Sequence, residues 1–243
     1  MMASLAVRAA DADASKAPPV PVAVARALHA LKAPADARFQ TWPGVADRSL
    51  VAWTTWHAED GLTTPDEPND GALDLDVAVL ETHSGRVMQH LHEENAWASD
   101  AMHFDGFGFD TANYALAPGV RAFGLRAFSH HQGCASSEDE VLRLFEIRGG
   151  ELVRLTDGDL LMKGATAWCD CGDDSTERTR TLAIAPTSSS GHADLVLQER
   201  SRVEHPERDD KAPEGCRTTV KQVTRRVVLR FDGQAYAVPP DWR

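Results

Sequence analysis

Residues 141–155 read VLRLFEIRGGELVRL, two apolar runs joined at Gly149-Gly150. Apolar runs on both sides of a Gly-Gly pair predict two antiparallel strands connected by a tight turn. The two runs, residues 141–147 and 152–155, are each short enough to be a single strand. Because such hairpins build antiparallel sheets, this stretch predicts an all-β fold.

The same rhythm of short apolar runs and turn residues continues on both sides of this hairpin. The runs that predict further strands are residues 50–56, 75–80, 86–91, 120–128, 179–184, 193–198 and 218–231. In the run 120–128, strict alternation places Phe123 and Leu125 on one face of the strand. Asp232-Gly233 then predicts a closing hairpin into residues 236–238.

Only residues 22–32 have apolar residues at helical intervals, and Pro34 ends that pattern. Residues 1–21 are rich in Ala, Asp and Pro, which predicts a flexible leader. The remaining residues 22–243 predict a single β-rich domain. We therefore expect an all-β fold of antiparallel hairpins, either a small propeller-like domain or a sandwich, with one short N-terminal helix.

The net charge of −12, from 37 acidic and 25 basic residues, argues against binding to nucleic acid or to anionic lipid. The basic residues Arg225, Arg226 and Arg230 are expected to lie on a solvated strand face. Uncharged apolar runs are far shorter than the roughly 18 residues of a membrane-spanning helix. The composition instead favours a protein partner, a cation or a neutral ligand.

Four cysteines, Cys134, Cys169, Cys171 and Cys216, are disulfide candidates. Cys169 and Cys171 are too close in sequence to pair well with each other, so each could bridge to one of the distant pair. Free buried thiols remain an alternative, and so does zinc, although Cys-x-Cys is not the usual zinc spacing. Disulfides predict a periplasmic or secreted protein, while the first residues lack the basic and apolar regions of a complete signal peptide.

Asp66, Asp70 and Asp74 occupy positions 1, 5 and 9 of an acidic segment that has Gly71 at position 6 and leads into an apolar strand. Calcium takes six to eight oxygen ligands, and this spacing lets a loop fold around such an ion. The sequence therefore predicts calcium as a cofactor bound by these three carboxylates, with a solvated acidic turn as the alternative. Pro68 occupies a position where a further ligand would be expected.

The pattern Asp-x-x-x-Asp-Gly-x-x-Asp-Leu-x-Val over residues 66–77 resembles the calcium loop of FG-GAP or VCBS repeats, which form integrin-α-type β-propellers. Residues 191–197, GHADLVL, match the Gly-x-x-Asp-Leu-x-Val end of this pattern but lack the acidic residues that precede it. More loosely, residues 74–239 are similar to exported β-rich proteins of Gram-negative bacteria. Some proteins of that kind are immunity proteins, so the resemblance implies a partner that cleaves peptidoglycan.

Two further groups of residues suggest binding. His90 and His92 share one face of a strand and could bind zinc with a distant third ligand, although a polar strand face explains them equally. His130 and His131 are expected in a loop. Trp97 follows the His-rich strand and is predicted to be exposed and to contact a partner.

Signals for catalysis are weaker than signals for binding. No nucleophile elbow or phosphate-binding loop is present, and Asp105, Asp110 or Glu146 could form a glycosidase pair only if they meet in space. We therefore predict a non-enzymatic exported binding protein, such as an inhibitor or immunity protein for a cell-envelope hydrolase. The alternative is a carboxylate-dependent polysaccharide hydrolase.

Overall fold

The computed structural model describes residues 19–57, 71–99, 101–168, 171–212 and 215–243, and strands dominate these ranges. The elements, in chain order, are α1 (Val22–Ala30), β1 (Arg38–Thr41), β2 (Arg48–His57), β3 (Gly71–Glu81), β4 (Val87–Ser99), β5 (His103–Ala117), β6 (Val120–His131), β7 (Ala135–Arg148), β8 (Glu151–Arg154), β9 (Leu160–Trp168), β10 (Ser175–Ser189), β11 (His192–Arg208), β12 (Cys216–Leu229) and a 3-10 turn (Pro240–Trp242). None of the described helices is long and apolar enough to cross a membrane.

The Gly-Gly hairpin forms as predicted, between β7 and β8. Their antiparallel register ends with the pair Arg148 and Glu151, so Gly149 and Gly150 are the two residues of the loop. Both glycines have positive φ, 63° and 88°, which a type I′ turn requires of its two central residues. Local sequence alone is enough to place this turn.

Antiparallel pairing joins the strands into two sheets. The smaller sheet has the order β1-β2-β3-β4, and the larger one has the order β12-β11-β10-β9-β7-β6-β5, with β8 paired to β7. The expected class, antiparallel β with one short N-terminal helix, is confirmed. A propeller would need separate four-stranded blades around a channel. The larger sheet is instead continuous, and the described strands form neither a closed barrel nor a propeller.

The two sheets pack face to face around a shared apolar core. Fully buried members of this core are Leu50, Leu75 and Val77 from the smaller sheet and Phe123, Leu125 and Phe145 from the larger one. The predicted alternation of residues 120–128 is confirmed, because Phe123 and Leu125 share the face that is turned to the smaller sheet. This packing gives the fold its sandwich character.

The larger sheet also curls around a second core of its own. Residues from its two ends meet there, including Tyr114 on β5, Leu195 on β11 and Leu229 on β12. As a result β5 packs against β10 and β11, although in the sheet it is hydrogen-bonded only to β6. Curling of this kind follows from the right-handed twist that accumulates across long strands.

The C-terminal residues close the curled sheet. Trp242 is buried in the second core, and its ring lies 4.5 Å below the guanidinium carbon of Arg180. The Arg180 guanidinium also donates to the main-chain oxygens of Asp241 and Trp242 at 2.8 and 2.9 Å, and to the Glu199 carboxylate at 2.8 Å. A fully buried charge is tolerated here because its N–H groups donate to these oxygens and the Glu199 carboxylate balances its charge.

Helix α1 covers part of the outer face of the smaller sheet. Val24 and Ala27 pack there on Trp53 and Ala78. The helix predicted for residues 22–32 is confirmed, and it ends at Ala30. Trp53 is 5% exposed.

His130 and His131 lie in β6, where they pair with Glu138 and Ser137 of β7. The expectation that they lie in a loop is therefore wrong. Their backbone remains in the ladder because β7 is long enough to supply hydrogen-bond partners beyond Phe128, a feature of the neighbouring strand that local sequence does not reveal.

A disulfide joins Cys171 to Cys216, with 6.0 Å between their Cα atoms. Cys134 is also disulfide-bonded, whereas Cys169 lies outside the described residues. The bond between Cys171 and Cys216 is one of the predicted connections, and it excludes a zinc site on those two sulfurs. A disulfide is consistent with an oxidising compartment.

Arg143 ties the two sheets together. Its side chain is 3% exposed and donates to the Glu93 carboxylate at 2.6 Å and to the Ala96 carbonyl at 3.0 Å, both on β4 of the smaller sheet. It also binds both oxygens of Asp159, at 2.7 and 2.8 Å. The guanidinium lies 4.7 Å from the centre of the Trp97 ring. One buried cation thus links two sheets through several partners.

We expect Arg143→Met to destabilise the protein by about 3–5 kcal/mol, because it keeps apolar volume but removes the buried partner of Glu93. Urea denaturation measures the effect. The matched control is Arg86→Met, which removes an exposed guanidinium 3.4 Å from Glu81 and should cost less than about 1 kcal/mol. Similar losses in the two variants would show that Arg143 does not hold the sheets together.

Replacement of Cys171 and Cys216 by serine should lower the free energy of unfolding by up to about 4 kcal/mol. The disulfide closes a loop with a sequence separation of 45. Opening such a loop increases the conformational entropy of the unfolded chain and so stabilises the unfolded state by about 4 kcal/mol. Thermal unfolding under non-reducing conditions checks this expectation. An unchanged melting temperature would contradict a stabilising role.

Candidate functional site

An open cleft of about 690 Å³ lies where one end of the smaller sheet meets β5 and β6 of the larger sheet. We call it the aromatic cleft. It is lined by Trp56, Leu73, Ser99, His103, Phe104, Asp105, His130 and Gln132. Its size falls within the range of about 300–1,000 Å³ that is usual for small-molecule pockets.

The apolar part of the aromatic cleft is built from two layers of rings. Trp56 is 41% exposed at its rim. Phe104 lines the cleft and is stacked on Trp97, with 5.2 Å between the ring centres, and Trp97 in turn stacks on Phe107 at 6.0 Å. The rings of Trp97 and Phe107 therefore give Phe104 a rigid backing, while Trp56 presents an apolar surface to solvent.

Trp97, the residue expected to contact a partner, is only half-buried and lies behind Phe104. Its indole Nε1 is buried and has no hydrogen-bond partner among the described residues. A role for Trp97 as a partner contact therefore stays a prediction. Trp56 is the exposed indole of this cleft, and sequence reasoning missed it because it ends a run that was expected to be a buried strand.

The polar part of the aromatic cleft is organised by His130. Its Nδ1 lies 2.7 Å from both carboxylate oxygens of Asp105, and its Nε2 lies 3.2 Å from the amide nitrogen of Gln132. This arrangement fits an imidazole that donates from Nδ1 to Asp105 and accepts at Nε2 from Gln132. The His103 ring lies 5.5 Å away. The Nε2 that a general base would use is thus already occupied.

Ser99 also lines this cleft, beside the Asp105–His130 pair. Its hydroxyl oxygen accepts a hydrogen bond from the Phe104 amide at 3.2 Å, and the residue is 6% exposed. An activated serine would in addition donate to an imidazole, and within the described residues the Ser99 hydroxyl has only this accepted bond. The aromatic cleft therefore combines hydrogen-bond donors and acceptors with apolar rings.

The three carboxylates that could have formed a glycosidase pair each lie beside a different cation or imidazole. Asp105 contacts His130, Asp110 accepts from Arg126 Nε at 2.7 Å, and Glu146 lies 2.9 Å from His192 Nε2. Glu146 is also 1% exposed. A glycosidase needs two carboxyl groups facing one bond of the substrate, so a pair formed among these three acids stays a prediction.

Arg126 bridges two carboxylates on the larger sheet. It contacts Asp110 and Glu140, and Glu140 also accepts from Lys163 Nζ at 2.7 Å. Burial by itself would raise the pKa of Glu140, but the hydrogen bonds from Lys163 and Arg126 outweigh it and hold that pKa below its ordinary value of 4.5. Burial, together with the hydrogen bond to Asp110, raises the pKa of Tyr114. Glu140 therefore remains ionised and is unsuited to act as a general acid.

Asp74, the one described member of the predicted calcium loop, has a structural role. Its Oδ1 accepts a hydrogen bond from the main-chain N–H of Asn95 at 2.8 Å. At this point β4 departs from its regular register with β3. Asn95 has a positive φ of 49°, which this hydrogen bond helps to hold. Asp66 and Asp70 lie outside the described residues, so calcium binding by Asp66, Asp70 and Asp74 stays a prediction.

His90 and His92 share a strand face as predicted, and both contact Asp76 of β3. His90 Nε2 lies 2.7 Å and His92 Nδ1 3.1 Å from the same oxygen, Oδ1. These are hydrogen-bond distances. In the parts of the chain that the structure describes, no three His, Cys, Asp or Glu side chains are arranged to hold a metal ion. The polar strand face is the interpretation that fits these contacts.

The low pKa of Glu140 leads to a pH prediction. Because the folded state holds this carboxylate below its unfolded pKa, its stabilisation is complete above about pH 4.5 and is lost as the pH falls through the folded pKa. Glu140→Gln should therefore be less stable than the wild type at pH 7 and lose less stability on acidification. Melting temperatures between about pH 7 and pH 3 test this, with the exposed Glu151→Gln as control. Parallel curves for the wild type and Glu140→Gln would contradict it.

Comparison of the chain with protein-family models, with curated proteins and with solved structures found no match.

Proposed function

We propose that this protein is a non-enzymatic binding protein of the periplasm or the extracellular space, and that it inhibits a cell-envelope hydrolase. The observation that carries the proposal is the aromatic cleft, in which an exposed Trp56 faces a fixed Asp105–His130 pair. Tryptophan is enriched among the residues that dominate binding energy at protein interfaces, because it combines a large apolar area with a hydrogen-bond donor.

The charge of the protein supports a basic partner. An excess of 12 negative charges attracts basic surfaces and accelerates their association. Enzymes that cleave anionic cell-wall polymers benefit from a basic surface for the same electrostatic reason, so an acidic inhibitor is complementary to them. The disulfide between Cys171 and Cys216 supports an oxidising compartment, where such enzymes act.

A polysaccharide hydrolase remains the second candidate because Asp105 lies in a cleft with aromatic walls. The occupied His130 and the separate ion pairs of Asp110 and Glu146 favour binding over catalysis. Glycan turnover that disappears in Asp105→Asn would reverse this preference.

The test uses purified protein mixed with basic peptidoglycan hydrolases of three bond classes, a muramidase, an amidase and an endopeptidase. We expect a one-to-one complex with at least one of them and loss of its activity on peptidoglycan suspensions. Trp56→Ala should weaken the complex by about 30-fold or more, the effect of losing a central aromatic contact.

The matched control is Trp168→Ala, because Trp168 is 48% exposed but lies on β9, outside the aromatic cleft. It should leave the affinity unchanged. No inhibition of any of the three classes, or equal effects of the two tryptophan variants, would contradict the proposal.

A further inference from the structure

A second cleft, of about 510 Å³, opens on the larger sheet between β10 and β12. We call it the basic cleft, because Arg226 and Arg230 line it. The register between β10 and β11 shifts between Ile184 and Ser188, so the intervening residues leave the ladder. Such a bulge bends the strand locally, and the displaced segment forms one wall of the basic cleft.

The floor of the basic cleft contains a carboxylate with an unused oxygen. Asp194 is 4% exposed, and its Oδ2 accepts the Thr187 hydroxyl at 2.6 Å. Its other oxygen, Oδ1, is buried and has no hydrogen-bond partner within the described residues. The Thr187 hydroxyl and, to a smaller extent, the Ser189 hydroxyl lower the pKa of Asp194. Leaving a buried acceptor unpaired is costly, so this oxygen is suited to a donor from a ligand.

The two arginines of the basic cleft are free to bind an anion. Both are exposed, and neither forms a salt bridge within the described ranges. Arg225, which precedes Arg226 and lies on the other strand face, is by contrast paired with Glu199 at 2.9 Å. In the ladder, Val196 pairs with Val228 and Leu195 with Leu229, which places Arg230 beside Asp194. Two unpaired cations near one carboxylate give the cleft a net positive charge.

These features define the chemistry of a ligand. A carboxylate on the ligand matches the two guanidinium groups, and hydroxyl groups on the same molecule can donate to Asp194 Oδ1. Val196 and Val228 offer an apolar surface for C–H groups between the polar contacts. A single negative charge balances the cleft, whereas a zwitterion leaves it positive and a phosphate dianion leaves it negative.

We propose that the basic cleft binds a monoanionic sugar acid, whose carboxylate contacts Arg226 and Arg230 and whose hydroxyl donates to Asp194. This site is separate from the aromatic cleft and does not depend on the inhibitor function.

Isothermal titration calorimetry of the full chain with sodium galacturonate tests the proposal. We expect binding that is weakened about tenfold or more by Arg226→Gln or Arg230→Gln, since each variant removes a charged hydrogen-bond donor. Asp194→Asn keeps the shape of the side chain and should weaken binding by a similar factor. Glucose, which lacks the carboxylate, should bind at least about tenfold more weakly than galacturonate.

The matched control is Lys221→Gln, which removes one positive charge from an exposed position of β12 outside the cleft. This variant should bind galacturonate with the affinity of the wild type. Absence of galacturonate binding at millimolar concentration, equal binding of glucose, tighter binding of alanine or phosphate, or equal loss in Lys221→Gln would each overturn the proposal. If Asp194→Asn unfolds, the two exposed arginine variants still decide the outcome.

Discussion

The buried guanidinium of Arg143 is the interaction on which the arrangement of the two sheets depends. It lies on β7, inside the larger sheet, and contacts Glu93 and the Ala96 carbonyl on β4. An apolar interface fixes the distance between two sheets but allows them to slide, whereas directional hydrogen bonds fix their relative position. Because Arg143 also lies over the Trp97 ring, the same contact supports the stack of rings behind the aromatic cleft.

The larger sheet is fixed in a comparable way at its other core. Arg180 holds the C-terminal residues through main-chain oxygens and lies over the Trp242 ring. This closes one side of the curled sheet and leaves the outer face of β11 and β12 to solvent, where the basic cleft lies. The buried Arg143 and Arg180 thus stabilise the fold, while Arg226 and Arg230 remain available for binding.

The candidate site was predictable only in part. Asp105 was recognised as a candidate carboxylate, but its pairing with His130 depends on the register of β5 and β6, which places residues 25 positions apart in contact. Trp56 was not recognised, because its exposure depends on where the smaller sheet ends. The partners of Asp110 and Glu146, which decide whether these acids can act in catalysis, are also distant in sequence.

The sequence by itself determined the positions of most strands, the turn at Gly149-Gly150 and the antiparallel class, because alternation and turn chemistry are local properties. Only the tertiary structure decided which side chains of the hairpin at residues 141–155 are buried. In residues 141–147, the charged side chains of Arg143 and Glu146 lie on opposite faces of the strand, yet they are 3% and 1% exposed. The strand lies between two cores, and partners from other strands neutralise its charges. Which face is covered, and by which partner, depends on long-range packing that no local pattern contains.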